Sequence, residues 1–526
     1  MGWVWESSEN MTDTAKNVHL QFLRSRLGRI CVAIIGSSPD EMLERAADAV
    51  RENTLLEFRL DYLTKPLTAM PQLKEFLSHH REVTAIATCR REANGGKFAG
   101  KVADEMEVLA KAAAAGFHLI DVELQTAEIL KPADWKKLRA HTVAILISYH
   151  DFVATKSLDK IYDRIRPLQP DFIKIVSTAR SLADNVTMMR FLEDKRDEAD
   201  VVGICMGDYG IISRVLGLRT GSRFTFAAAT TGEETAPGQI AARTLTEVYR
   251  ADQVDAGTRV YGVAGNPVQN SLSPIMMNTA FHRETVNAVF LALQTEKVED
   301  LLLLIREVPV HGLSITMPLK EAIMKHLDRT DALSQRIGAC NTVVRSQDGK
   351  LIGYNTDVIG IVRPLEQRID LRKAKVLLLG AGGAARAAAF GLRQKGAYVF
   401  ILNRTPQTAQ KLARAAEAKT IRRDQVAKTS FDVILNATPV GMPGVKQQMI
   451  LEEKELNAKL VFDMVYNPLE TPLLKMARSR GIAVVTGAEM FVQQGADQFQ
   501  LWTGKPAPRE DMWRVVAHAL RSRAES

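Results

Sequence analysis

The stretch Lys375–Arg386, KVLLLGAGGAAR, constrains this chain more than any other, and it begins at residue 375 of 526. It reads as an apolar strand, Val376–Leu379, a turn at Gly380, Gly382 and Ala385, and a helix over Ala387–Leu392. That is the G-x-G-x-x-A form of a dinucleotide-binding turn. The first glycine permits the tight turn. The second lets backbone N–H groups approach a pyrophosphate at the helix N-terminus. A second strand, Tyr398–Leu402, ends in Asn403-Arg404-Thr405. An acidic residue there would bind a ribose 2′-hydroxyl, whereas an arginine and a hydroxyl suit a 2′-phosphate. The expected cofactor is NADP, held at Gly380, Ala381, Gly382, Gly383 and Ala384 and at Asn403, Arg404 and Thr405.

At 526 residues the chain exceeds what one core supports, so two or three domains are expected. Hydrophobic content of 46% and charged content of 25% are those of an ordinary globular protein. The net charge of +8 is spread along the chain. No run of Lys and Arg is interleaved with aromatics, so no nucleic-acid partner is expected. Cys31, Cys89, Cys205 and Cys340 lack C-x-x-C pairing and read as core residues of a reduced compartment. No metal site is expected. No apolar run approaches the ~20 residues of a membrane span, and no secretory signal pattern is visible. These features predict a cytoplasmic protein without a membrane partner. Oligomeric state stays open.

Residues 1–25 are polar and read as a loose extension. From Arg29 onward β-branched runs alternate with helical patterns. The runs are Ile30–Ile35, Leu55–Leu60, Val83–Thr88, Leu119–Leu124, Ala144–Ser148, Phe172–Val176, Val201–Met206 and Phe224–Ala229. Eight strands with helices between most of them predict a (β/α)8 barrel over 26–252. The pattern resets near Ala251–Thr258. A two-lobed α/β unit is expected to follow, with a substrate lobe over 257–365 and a Rossmann lobe with closing helices over 366–526.

In a barrel, residues at the C-terminal strand ends face the active site. Those positions hold Glu57 and Arg59, Arg90, His150, Lys174, Arg214, and Thr235 with Gln239. Lys174 sits in an apolar strand, DFIKIV. Burial and nearby arginines would disfavour the ammonium and supply a nucleophilic amine able to form a Schiff base. His150 would carry the proton, with Asp151 to orient it, and the arginines suit a substrate carboxylate.

In order and spacing, LEFRLDYL, TCRREANGG, ISYHDF, DFIKIV, MGDYGIISR and TAPGQI resemble the type I 3-dehydroquinate dehydratases over about Arg29–Tyr249. The resemblance implies that Lys174 forms an imine with the C3 ketone of 3-dehydroquinate and that His150 removes the C2 proton. It also implies that Glu57 and Arg59 hold ring hydroxyls, that Arg214 and Gln239 hold the carboxylate end, and that Arg90 lines the pocket. Asn94 stands where the family usually has glutamate, and Thr235 where it has serine.

The second half carries GVAGNPVQNSLSPIMMN, GLSITMPLK, GACNTV and GYNTD, loops rich in the hydroxyl and amide groups a polyol carboxylate requires. Ser271 and Ser273 suit a carboxylate, Thr316 and Asn341 suit ring hydroxyls, and Lys320 with Asp357 suits an acid–base pair. Together with NRT, NATPVGM, DMVYNPLETPLL and GAEMFVQQGADQF, these motifs resemble shikimate dehydrogenase over about Arg259–Gly504. The resemblance implies that Gln494 joins the substrate residues and Gly487 the cofactor residues, with Tyr466 on a late loop beside the cofactor. Ser314 stands where many monofunctional members have asparagine. Plant-type fused enzymes often have serine there, and the domain order is also theirs. The implied function is dehydration of 3-dehydroquinate to 3-dehydroshikimate followed by NADPH reduction to shikimate. A quinate dehydrogenase is the near alternative, against which Ser271, Ser273 and Thr316 speak.

Overall fold

The computed structural model describes residues 18–446 and 449–525, which divide into two compact units meeting at Thr258 and Arg259. In the first, eight parallel strands, β1 (Ile30–Ile34), β2 (Leu55–Arg59), β3 (Thr84–Thr88), β4 (Leu119–Glu123), β5 (Ala144–His150), β6 (Phe172–Thr178), β7 (Val201–Met206) and β8 (Thr225–Ala228), lie in the order 7-6-5-4-3-2-1-8. Arg223 N–H donates to Val201 O at 2.9 Å across the seam between the ends of that order, so the sheet curls into a nearly closed barrel. The β5 and β6 runs extend two residues beyond their apolar cores. Those residues are polar, and the ladder rather than hydrophobicity holds them, His150 pairing with Val176.

Side chains alternate in and out along each strand, and the inward stripes change character along the barrel axis. The lower inward positions, including Cys31, Leu55, Ile86, Leu119, Leu146, Phe172 and Phe224, form one apolar cluster. The upper inward positions are Glu57, Arg59, Thr88, Asp121, Glu123, Ser148, His150 and Lys174. The apolar floor gives rigidity, and the polar rim above it carries the chemistry.

The segment expected to be loose is partly structured. Residues 18–26 are helical, and Leu20 and Leu23 are buried in the barrel-floor cluster. Burial of each is worth about 1.5–3 kcal/mol. Two leucines three apart in a short polar segment are too few to announce a helix by periodicity. The remainder of the expected extension, residues 1–17, lies outside the described residues.

The second unit holds two sheets. The first joins β9 (Arg259–Gly265), β10 (Ala288–Gln294), β11 (Val310–Ile315), β12 (Arg329–Thr330), β13 (Thr342–Arg345) and β14 (Leu351–Tyr354) in the order 10-9-11-13-14-12, with β13 antiparallel to both neighbours. The second joins β15 (Lys375–Leu379), β16 (Tyr398–Leu402), β17 (Lys419–Thr420), β18 (Phe431–Asn436), β19 (Ala458–Asp463) and β20 (Ala483–Val485). It is all parallel, in the order 17-16-15-18-19-20, the doubly wound Rossmann order.

Of the closing helices, Gly487–Thr503 and Arg509–Glu525, the first joins the Rossmann core at its N-terminal end through Met490, and beyond that point both turn to the other lobe. Val492, Phe499, Trp502, Met512, Val516 and Leu520 pack with Met276, Met277 and Phe281 in the core of the substrate lobe. Trp502 Nε1–H donates to Val343 O at 3.0 Å, and a Cβ on Gly312 would lie 2.3 Å from that nitrogen, so only glycine admits the indole. Chain order places these helices with the lobe they follow, whereas most of their apolar surface packs on the other. No helix among the described residues is long and apolar enough to cross a membrane.

Candidate active sites

At the barrel rim one cavity is lined by Glu57, Arg59, Arg90, His150, Lys174, Arg214, Thr235 and Gln239, so the structure gathers every rim residue singled out from sequence. Phe152, Met206 and Phe226 supply apolar wall. Lys174 is 3% exposed, and its Nζ lies 3.8 Å from the centre of the Phe226 ring. Arginines were expected beside it. Two carboxylates stand there instead, Glu57 Oε1 at 3.3 Å and Asp121 Oδ2 at 3.2 Å. The arginines are drawn to acids of their own. Arg59 forms a fork on Asp61 at 2.9 and 2.8 Å, and Arg90 spans Asp121 and Glu123 at 3.0 and 3.2 Å. Burial raises the Glu57 carboxyl, but Lys174, Arg59 and Arg90 overcome it and hold the group at about 2.

Arg214 differs. It is 2% exposed, donates only long bonds to Phe226 O and Pro237 O at 3.4 and 3.3 Å, and its Nε has no partner. Burial lowers this guanidinium to about 10. A buried cation without a carboxylate is costly, and an anionic ligand in the cavity would relieve it. Gln239 closes the other wall, its Oε1 accepting from Thr235 N and Oγ1 at 2.6 and 3.1 Å.

Asp151, expected to orient His150, does not. Its Oδ1 caps the following turn through Val153 N and Ala154 N. The orienting group is Glu123, whose Oε2 lies 3.0 Å from His150 Nδ1 and whose Oε1 accepts from His150 N–H at 3.2 Å. With Nδ1 engaged, Nε2 is the base facing the cavity. Burial lowers the His150 pKa and the nearby Arg90 charge adds to this, against the upward pull of Glu123. Sequence reading missed Asp121, Glu123 and Ser148. The signal was LIDVE, where two acids two apart in an apolar strand must share the inward face. Asn94, on the turn Glu92–Asn94, is half-buried, and its Nδ2 has no hydrogen-bond partner; Glu92 is exposed.

In the second unit Lys320 Nζ lies 2.6 Å from Asp357 Oδ2, and Asn341 Nδ2 donates to Asp357 Oδ1 at 2.7 Å. The aspartate is thus fixed on one side by an amide and presents the lysine on the other. Asn341 Oδ1 accepts from Thr356 N–H at 2.8 Å, and its Nδ2 reaches Gln494 Oε1 at 3.5 Å. Ser314 Oγ donates to Gln498 Oε1 at 2.8 Å, so this departure serves to anchor the crossing helix Gly487–Thr503. Ser273 opens the helix Ser273–Arg283, and its N–H donates to Ser271 Oγ at 3.2 Å, which sets the two hydroxyl-bearing residues side by side. Thr316 is half-buried after β11.

The glycine turn fits a dinucleotide. Gly380 has φ +109°, and a Cβ there would lie 2.9 Å from Thr438 Cγ2. A Cβ on Gly382 or Gly383 would meet nothing within 4 Å, so open space lies over the helix start. The helix is Gly383–Gln394, longer than expected because its alanine-rich first turn is also helical, and Gly382 caps it without a side-chain acceptor. Its first-turn N–H groups are left for an anion. Arg404 and Thr405 are exposed after β16, with Thr405 O bonded by Asn403 Nδ2 at 3.0 Å. Gly487 lies tight against the loop after β19, where a Cβ would be 2.4 Å from Val465 O, and Tyr466 on that loop stacks on Phe491 at 4.9 Å.

Comparison with known proteins agrees with this division. The type I 3-dehydroquinase model matches residues 30–256. Models for the shikimate dehydrogenase substrate binding domain, the shikimate/quinate 5-dehydrogenase and the shikimate 5′-dehydrogenase C-terminal domain match 263–343, 364–469 and 487–517. The bifunctional 3-dehydroquinate dehydratase/shikimate dehydrogenase of Arabidopsis thaliana, described as chloroplastic, is 34% identical across 93% of this chain and 84% of its own. The chain belongs to this bifunctional family. Its second unit is also 40% identical to the shikimate dehydrogenase (NADP(+)) of Maridesulfovibrio salexigens, over 47% of this chain and 92% of that one. For the enzyme of the same name from Methanosarcina acetivorans the values are 41%, 50% and 99%. The family's two activities therefore map onto the two compact units, and both carry a lysine paired with carboxylate.

Proposed function

We propose that the barrel, 26–252, dehydrates 3-dehydroquinate through a Schiff base on Lys174, and that the second unit reduces the resulting 3-dehydroshikimate to shikimate. The observation that carries this is the meeting of Lys174, His150 and an acid-free Arg214 on one cavity. Arg214 and Gln239 take the substrate carboxylate, and Glu57 and Arg59 take ring hydroxyls. Lys174 sheds a proton toward Glu57 or Asp121, its nearest acceptors, and attacks the C3 ketone. That proton returns to the hydroxyl of the adduct, which leaves as water and gives the iminium, the carboxylate ending ionised as it began. His150 Nε2 then removes the C2 proton, while the imidazolium is held by Glu123. The same proton goes to the departing C1 hydroxyl, which leaves as water, and hydrolysis frees the amine.

In the second unit Ser271 and Ser273 hold the carboxylate, and Thr316, Asn341 and Gln494 hold ring hydroxyls. Lys320, positioned by Asp357, gives a proton to the ketone oxygen. NADPH supplies the hydride when bound. Gly380, Ala381, Gly382, Gly383 and Ala384 would hold its pyrophosphate, and Asn403, Arg404 and Thr405 its 2′-phosphate, with Gly487 and Tyr466 as further cofactor contacts. The lobes are assigned as 257–365 for substrate and 366 onward for cofactor, with the last two helices returning to the substrate lobe. A cytoplasmic location is supported by four cysteines, all free and buried.

Borohydride added with 3-dehydroquinate is expected to fix the ligand mass on the peptide containing Lys174. An unmodified Lys174 under full turnover contradicts the reading.

A further inference from the structure

Lys174 and His150 are joined by a buried hydrogen-bonded chain that neither role requires. Lys174 Nζ lies 3.2 Å from Asp121 Oδ2, Ser148 Oγ lies 2.5 Å from Asp121 Oδ1 and 2.8 Å from Glu123 Oε2, and that Oε2 lies 3.0 Å from His150 Nδ1. Strand register builds the chain, because Glu123, Ser148 and Lys174 stand opposite one another on β4, β5 and β6. Asp121, Glu123 and Ser148 are each under 5% exposed.

A serine hydroxyl has one proton, and here two carboxylates compete for it. Arg90 Nη2 lies 3.4 Å from the same oxygen and only adds a donor. Which carboxylate holds the proton depends on its other partners. The Lys174 ammonium has three N–H groups, enough for both Glu57 and Asp121. Condensation of that ammonium with a ketone gives an iminium and water. Charge is conserved, but the nitrogen keeps one N–H, because two hydrogens leave with the carbonyl oxygen. One N–H cannot serve both acids.

We propose that Ser148 is a positioning residue that passes this change to His150, its hydroxyl, shared between Asp121 at 2.5 Å and Glu123 at 2.8 Å while Lys174 is free, committing to Asp121 alone when the imine forms. Glu123, without that donor, then holds the imidazolium proton more firmly, so the base strengthens only after the lysine has bonded to substrate. The charged groups facing His150 are Glu123 from β4, Arg90 after β3 and Lys174 from β6. The iminium keeps the positive charge of Lys174, so the effect arises from the hydrogen bond and not from the charge.

The inference rests on the Schiff-base reading, and borohydride trapping at Lys174 tests that reading first. On the full chain, the pH dependence of kcat/KM reports the free enzyme, and that of the single-turnover rate reports the bound imine. The acid limb of the single-turnover rate is expected at higher pH by roughly one unit, the worth of one hydrogen bond to a charged group. Ser148→Ala should merge the two limbs while trapping persists, and Ser148→Thr, which keeps a hydroxyl, should hold them apart. Coincident limbs in the unaltered protein overturn the proposal whether or not the variants fold, as does a separation that survives Ser148→Ala. Failure of trapping overturns the Schiff-base reading instead.

Discussion

His150 and Glu123 come from neighbouring strands, and a single contact, Nδ1 to Oε2 at 3.0 Å, fixes which imidazole nitrogen can act on a substrate. Glu123 is itself held at about 2, because His150 and Arg90 outweigh the burial that would raise it. It is therefore an anion throughout the working pH range.

The active base is neutral imidazole, and burial with Arg90 lowers the His150 pKa. The acid limb of dehydratase kcat/KM should lie below the ordinary histidine value of about 6.5. Glu123→Gln removes the carboxylate charge that pulls the His150 pKa up and should move the limb lower still. Asn94→Glu should move it upward, and Glu92→Ala should leave it in place. A pH–rate series on the three variants checks the order.

Arg214→Ala should weaken 3-dehydroquinate binding. One hydrogen-bonded charge pair is worth about 1.5–3 kcal/mol, so kcat/KM should fall by about 10- to 100-fold. Because Arg214 has no acid partner within the protein, the variant should leave no buried carboxylate unpaired and should lose less thermal stability than Arg90→Ala, and melting curves beside the kinetics check this. Arg90→Ala is the contrast. It leaves Asp121 and Glu123 without their shared cation, and breaking a buried pair costs about 3–5 kcal/mol.

NADPH should be preferred to NADH by more than about 10-fold, from the same per-contact worth at Arg404. Arg404→Ala should erode the preference mainly through the cofactor KM. Equal use of both cofactors by the unaltered protein contradicts the assignment.

Periodicity and strand-end logic located the barrel, the glycine turn and most of the rim residues, because alternation and the Gly380–Ala385 spacing are local properties. What stayed hidden depends on partners distant in sequence. Asp151 neighbours His150 in the chain but is consumed by its own turn, while Glu123 reaches the histidine from the adjacent strand 27 residues earlier. The acids that claim Arg90, Asp121 and Glu123, lie 31 and 33 residues along the chain, whereas Asp61, which claims Arg59, stands only two residues from it and was legible in the sequence. The helix carrying Gln494 and Gln498 follows the Rossmann strands, yet its apolar face matches Met276 and Phe281.

Lys320→Ala should abolish reduction and leave dehydration intact, and Lys174→Ala should do the converse, since each lysine is paired within its own unit. Separate assays of the two half-reactions check this, and loss of both in a folded variant contradicts two independent sites.

The most direct measurement supplies the purified chain with 3-dehydroquinate and NADPH and follows both NADPH consumption and shikimate. The account predicts equal amounts of NADPH oxidised and shikimate formed, with no other enzyme added. Accumulation of 3-dehydroshikimate without NADPH oxidation, or no conversion of 3-dehydroquinate while added 3-dehydroshikimate is reduced, would contradict it.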